Sequence, residues 1–145
     1  MASPTCPCGS GASYDACCGR YHAGPLHLAA PTPEALMRSR YSAYVLELRQ
    51  YLLDTWHEQT RPAEMDRFDS GVKWLGLTVK RAWTTSDAEG FVEFVARNRP
   101  PGGGAAQRLH ELSRFVRDDT TQQRWQYVDA VERTEIHWCT PSAYQ

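Results

Sequence analysis

The apolar positions of this chain change their period near its middle. Between residues 33 and 56 they recur every three or four places; from residue 74 onward they recur every second place. The first pattern predicts helix. Thr32 is placed to cap it, Pro33 to take the first helical position and Glu34 to favour the first turn. A helix over 33–47 would bury a stripe of Met37, Tyr41, Tyr44, Val45 and Leu48. A second helical piece over 49–56 turns Leu52, Leu53 and Trp56 inward, and Pro62 follows its end. A short third helix fits 63–68.

The second pattern predicts strands over 74–83, 90–99, 108–117 and 124–131. Leu75, Leu77 and Val79 share a face of the first. In the second, Val92, Phe94 and Ala96 face one way and Phe91, Glu93 and Val95 the other. Polar residues 84–89, the Pro-Gly run at 100–104 and residues 118–123 read as turns. Short connections favour an antiparallel meander. Helices before strands give an α+β fold, with two to three helices on one face of a curved sheet of about four strands.

Ahead of both patterns lies a segment with neither period. It holds Cys6, Cys8, Cys17 and Cys18 in the frame CPCGSGASYDACC. Four thiolates suit one tetrahedral ion, with Zn–S near ~2.3 Å. Pro7 sets the first turn, and Gly9, Gly11 and Gly19 let the backbone fold closely over sulfur. One short helical turn over 13–17, capped by Ser13, would deliver the second cysteine pair. Zinc is the expected ion and iron the alternative. Disulfides and a catalytic thiol are the remaining readings; against disulfides, residues 1–5 show neither the charged nor the apolar part of a secretory leader. A closed four-thiolate site leaves no position for a catalytic water, so its role is structural or for docking. This segment, 1–24, forms a clip; 25–32 reads as a linker and 33–145 as a globular domain.

The run Cys6-Pro7-Cys8-Gly9-Ser10-Gly11, with Tyr14, Cys17, Cys18 and Gly19, resembles the SEC-C motif, a zinc-binding sequence found at the tail of the SecA translocation motor. SecA-type tails carry lysines between the cysteine pairs; here stand Ala12, Ser13, Asp15 and Ala16. Further on, LMRSRYSAYV at 36–45, TWH at 55–57, VEFVAR at 92–97, LHELSRF at 109–115 and WQYVDA at 125–130 are similar in order to the YchJ family of small bacterial SEC-C proteins. That resemblance implies the cone-shaped fold of nuclear transport factor 2, also called cystatin-like, and a protein partner for the clip. Some family members carry a second SEC-C copy at the C-terminus. This chain has there only Cys139, two residues after His137, a pair that would share one face of a strand.

Charge and composition narrow the field. Sixteen basic residues, fourteen of them arginine, face seventeen acidic ones, for a net charge of −1. No global field draws the chain to nucleic acid or a membrane. No apolar run nears the ~20 residues of a membrane span, and a cytoplasmic location is the expectation.

A cone-shaped domain encloses a pocket, which directs attention to polar residues near its apolar faces. Glu93 and Glu111 would share the concave face if the second and third strands pair, within reach of Arg38 and Arg40 on the helix. A buried carboxyl there serves as a general base or pairs with arginine. His57 is a base, a ligand or a helix C-terminal residue. Tyr41 and Tyr44 are candidates for the pocket wall, and Asp129 joins them by fold-level analogy with cone-shaped isomerases and dehydratases. No residue is assigned as catalytic. The sequence thus points to a zinc-binding protein whose closed site serves structure or partner docking, with room for a small ligand. The alternative is a small dehydratase, isomerase or hydrolase; monomer and dimer both fit.

Overall fold

The computed structural model describes residues 4–63 and 72–136. Its elements are α1 (Gly19–His22), α2 (Pro33–Val45), α3 (Arg49–Asp54), β1 (Lys73–Ser86), β2 (Glu89–Arg99), β3 (Gln107–Val116) and β4 (Gln126–Ile136). Short 3₁₀ turns occupy Tyr14–Ala16 and Asp119–Thr121. The four strands form an antiparallel meander in the order β1-β2-β3-β4. The expected third helix at 63–68 and the His137/Cys139 pair lie outside the described residues, the first but for Ala63.

The start of α2 follows local chemistry. Thr32 is extended, and its Oγ1 accepts from the backbone N–H of Ala35 at 3.0 Å, with Pro33 at the first position. The helix stops at Val45, two residues before the predicted end. Glu47 turns left-handed at φ 59°, and Leu48 donates its N–H to the Ala43 carbonyl at 2.8 Å. The second helix is likewise shorter than 49–56: the Thr55 hydroxyl bonds back to the Tyr51 carbonyl at 2.8 Å and closes it at Asp54. The chain then pairs with β4, as His57 donates to the Tyr127 carbonyl at 2.7 Å and Tyr127 to that of Thr55 at 2.8 Å.

α2 buries more than one stripe. Leu36, Met37 and Tyr41 are buried as core residues, and so are Ser39, Arg40, Ser42 and Ala43. The reason is that two layers cover it. The sheet packs on one side and the N-terminal clip on the other, so that Cys6, Cys8, Cys18 and Tyr21 join Leu36, Leu52, Val92 and Phe115 in one continuous core.

The sheet is bent by bulges. Register shifts fall at Trp74/Gly76, Val79/Arg81 and Thr84/Ser86 in β1, and at Leu112/Ser113 and Arg114/Phe115 between β3 and β4. Each bulge adds local twist and curls the sheet around α2. The first bulge also corrects an expectation: it breaks the alternation at Gly76, leaving Leu75 37% exposed while Trp74 packs on Tyr41 and Tyr44. In β2 the alternation runs as expected, with Val92, Phe94 and Ala96 all buried against the helices.

Candidate metal centre

Cys6 and Cys8 arrive on a tight loop. The Cys6 N–H donates to the Ala12 carbonyl, and Thr5 bridges to Ser13, so the strand-like ends of the loop lie side by side. Gly9 and Gly11 turn it at φ 83° and 89°, a region glycine enters without steric cost. Cys17 and Cys18 follow the 3₁₀ turn and start α1. Ser13 occupies the cap position as expected, but its side chain makes no capping bond. At Gly19 a Cβ would stand 2.8 Å from the Tyr14 carbonyl oxygen, so the close return of this chain needs glycine.

The four sulfurs lie within 4.8 Å of one another. Cys8 and Cys17 are 3.6 Å apart and Cys17 and Cys18 4.0 Å. A tetrahedron with bonds of ~2.3 Å has edges of ~3.8 Å, so this spacing fits one four-coordinate ion. Cys6, Cys8 and Cys18 are at most 3% exposed, and Cys17 alone is half-buried.

Two of the four thiols, Cys17 and Cys18, resist ionisation in this cluster. Hydrogen bonding from Cys18 holds the Cys8 thiol well down, to about 4, against the opposing effect of burial. The same bond, with burial, pushes the Cys18 thiol far up, and burial pushes Cys17 up. Buried thiolates therefore need a cation to share them. The donor set suits a metal on this ground, with Cys6, Cys8, Cys17 and Cys18 as its ligands.

Residues outside the cysteines complete the site. Ser10 Oγ lies 3.1 Å from the Cys17 sulfur and Ser42 Oγ 3.5 Å from that of Cys6. Arg38 donates from Nη1 to the Cys8 carbonyl at 2.9 Å and from Nε to Glu34 at 3.0 Å. His22 fixes α1 to α2: its Nε2 meets the Ser39 carbonyl at 2.8 Å and its Nδ1 the Tyr14 hydroxyl at 2.6 Å. A carbonyl only accepts, so Nε2 carries the proton and Tyr14 donates to Nδ1. Burial lowers the His22 pKa and keeps the ring neutral.

The pocket candidates separate. A cavity of about 90 Å³ opens between α2, Trp56 and the inner sheet face, and Tyr41, Tyr44 and Glu111 line it. Phe94 pairs with Glu111, whereas Glu93 pairs with Leu112. Directly opposed residues share a face, so the two glutamates point to opposite sides of the sheet. Glu93 is on the outer face, bonded to Arg81 at 2.6 Å and His110 at 2.7 Å. Asp129 is also outside, exposed and 3.4 Å from Arg114. Arg38 belongs to the clip. His57 is buried next to Trp56 but is not among the residues that line the cavity; it lies 3.5 Å from the Asp118 carboxylate, with its Nδ1 accepting from the Gln59 N–H at 3.1 Å.

Sequence reasoning missed Tyr127, Ser113 and Arg133 as cavity groups. Tyr127 and Ser113 both hydrogen-bond to Glu111 Oε2, Tyr127 at 3.4 Å, and Arg133 Nε lies 3.8 Å from Oε1. Strand alternation puts Ser113 on the Glu111 face, although it was not named as a cavity candidate; the bulges hid the β4 residues, because they shift register against β3.

Comparison with known proteins agrees with this architecture. Residues 32–130 match the family model described as YchJ, middle NTF2-like domain, and residues 5–20 match the SEC-C motif. A UPF0225 protein of Bordetella pertussis is 56% identical over 124 residues, covering 86% of this chain and 90% of the relative. One of Chromobacterium violaceum is 54% identical over 135 residues, with 90% and 95% covered. A crystal structure of a SEC-C motif containing protein from Psychrobacter arcticus superposes with a TM-score of 0.65 at 34% identity, over 87% of this chain and 81% of that one. The chain belongs to the family of the YchJ middle NTF2-like domain, joined at its N-terminus to a SEC-C motif.

Proposed function

We propose that this is a zinc-stapled binding protein, in which Cys6, Cys8, Cys17 and Cys18 hold one structural Zn²⁺. One observation carries the reading: three of the four ligating residues are buried in the core that α2 shares with the sheet. A metal there neutralises sulfur charge and fixes the clip to α2; it closes no reaction site. All-cysteine coordination and tetrahedral spacing favour zinc over oxygen-seeking ions. Four reduced thiols in one site fit a reducing compartment such as the cytoplasm. No helix among the described residues is long and apolar enough to cross a membrane.

Metal analysis of protein purified without chelator tests the proposal. One zinc per chain is expected, and Cys17→Ser with Cys18→Ser should lose it. If zinc staples the whole fold, that variant melts as one transition at least ~10 °C lower, which corresponds to a loss of ~3 kcal/mol or more. An unchanged melting temperature would sink the structural role.

A second reading has its own support. Gly9, Ser10, Gly11, Ala12, Asp15 and Ala16 are exposed around the half-buried Cys17. Zn²⁺ with four thiolates carries a formal charge of about −2. This edge suits a protein partner with basic or N–H donor groups. Loss of a partner on replacing Ser10 and Asp15 by alanine, with zinc retained, is the result that supports docking; retained binding argues against it.

A further inference from the structure

Among the described residues, the cavity of the cone-shaped domain is lined by two positive side chains, Arg40 and Arg133, and one carboxyl, Glu111. Arg40 is buried, and its Nη1 donates to the Leu52 carbonyl at 2.8 Å and the Thr55 hydroxyl at 2.7 Å. Its guanidinium lies 5.2 Å from the ring centre of Trp56 and 4.8 Å from that of Tyr127. It makes no ion pair among the described residues. Protein oxygens and ring faces thus hold the cation in place without cancelling its charge.

Glu111 is one carboxyl shared by two arginines: it lies 3.8 Å from Arg133 and also acts through space on Arg40. Burial pushes its carboxyl above the ordinary value, which further reduces the opposing charge. Most of the remaining wall is apolar, including Met37, Trp74, Phe94, Leu109 and Phe115. An inward-facing cationic pole in an apolar chamber is complementary to an anion with a hydrocarbon body.

Size narrows the class. An apolar cavity of ~150 Å³ holds benzene, with its six non-hydrogen atoms, so the present volume encloses about four, and an acid of three carbons, with five, would fill it and reach its mouth. We propose that the cavity binds a short-chain monocarboxylate, its carboxylate against Arg40 and Arg133 and its hydrocarbon part toward Phe94 and Trp74. This does not depend on the role of the metal, and the protein should be tested with its metal in place.

Propionate is the probe, with propionamide as its neutral counterpart and inorganic phosphate as an anion without a hydrocarbon body. Binding is read by saturation-transfer proton NMR for the organic probes and by competition for phosphate. Propionate should bind saturably, and propionamide about tenfold or more weaker, the usual worth of a charge-assisted hydrogen bond. Arg133→Met should weaken propionate by a similar factor. Glu111→Gln removes the competing carboxyl, so it should tighten propionate and leave propionamide unchanged; a gain guards against a trivial loss by misfolding. Lack of saturation by propionate, equal binding of the amide, or weaker propionate binding by Glu111→Gln would each overturn the proposal. Phosphate competing as well as propionate does so too, because the hydrocarbon wall would then select nothing.

Discussion

Arg38 places one guanidinium nitrogen 2.9 Å from the Cys8 carbonyl oxygen and 3.9 Å from the Cys8 sulfur. Helix α2 thereby donates a positive charge to the most buried part of a site that carries about −2 when a divalent ion is bound. Partners one step removed from the ligands typically change metal affinity 10–100-fold. Arg38→Met should therefore raise the zinc dissociation constant by at least ~10-fold, read by competition with a chromophoric chelator. An unchanged constant would reduce Arg38 to its surface pair with Glu34, which is of small worth.

Glu111 gives a pH signature. Burial raises its pKa from an ordinary 4.5, against the lowering effects of Ser113, Arg133, Arg40 and Tyr127. The folded protein therefore keeps this proton to higher pH than the unfolded chain does. Below pH 4.5 both forms are protonated. As pH rises past 4.5 the unfolded chain ionises first, and stability falls until the folded carboxyl has ionised as well. Glu111→Gln has no such proton. The melting temperature of that variant minus that of the wild type should rise with pH over this interval and then level off. Taking a difference removes the acid sensitivity of the thiolate site, which both proteins share. A difference that falls with rising pH would mean that Arg133 holds Glu111 ionised.

At Gly90 the sheet runs close against the start of α2. A Cβ built there would stand 2.6 Å from Pro33 Cγ and 3.1 Å from the Trp83 carbonyl oxygen. Neither the first residue of the helix nor the neighbouring strand can yield easily. Gly90→Ala should cost about 1–3 kcal/mol by overpacking, read as a lower denaturant midpoint with an unchanged slope. A midpoint within error of the wild type would show that the N-terminal end of α2 slides on the sheet.

The order and kind of the main elements were legible because local periods carry them: three to four residues through α2, two through β2. The cysteine cluster was legible because four thiols in thirteen residues have few uses that keep them apart. What local patterns do not contain is register. Glu93 and Glu111 looked equivalent as single acidic residues between apolar ones, yet pairing with Leu112 and Phe94 sends them to opposite faces. Arg38 and Arg40 are two residues apart in one helix, and only the double covering of α2 explains why the first reaches the clip and the second the cavity. Leu75 was misplaced for a similar reason, since the bulge at Gly76 leaves no mark on a two-residue period.

The relay from Tyr14 through His22 to Ser39 allows the clip and α2 to be tested without touching a cysteine. Tyr14 donates to His22 Nδ1, and His22 Nε2 donates to a carbonyl in the middle of α2. His22 also packs edge-on against Tyr51, with ring centres 4.6 Å apart, and the Tyr51 hydroxyl bonds to Ser39 Oγ at 2.7 Å. Tyr14→Phe keeps the ring contact and removes only the donor, which leaves the half-buried Nδ1 without it. The expected cost is about 1 kcal/mol, the usual net worth of one hydrogen bond. With zinc bound the fold should remain intact, and chelation should then remove more stability from the variant than from the wild type, since the His22 ring that ties the clip to α2 has lost the bond that orients it. Calorimetry with and without chelator measures both. Equal losses on chelation in the two proteins would mean that metal and relay hold the clip independently, and the staple would then act through the sulfurs alone.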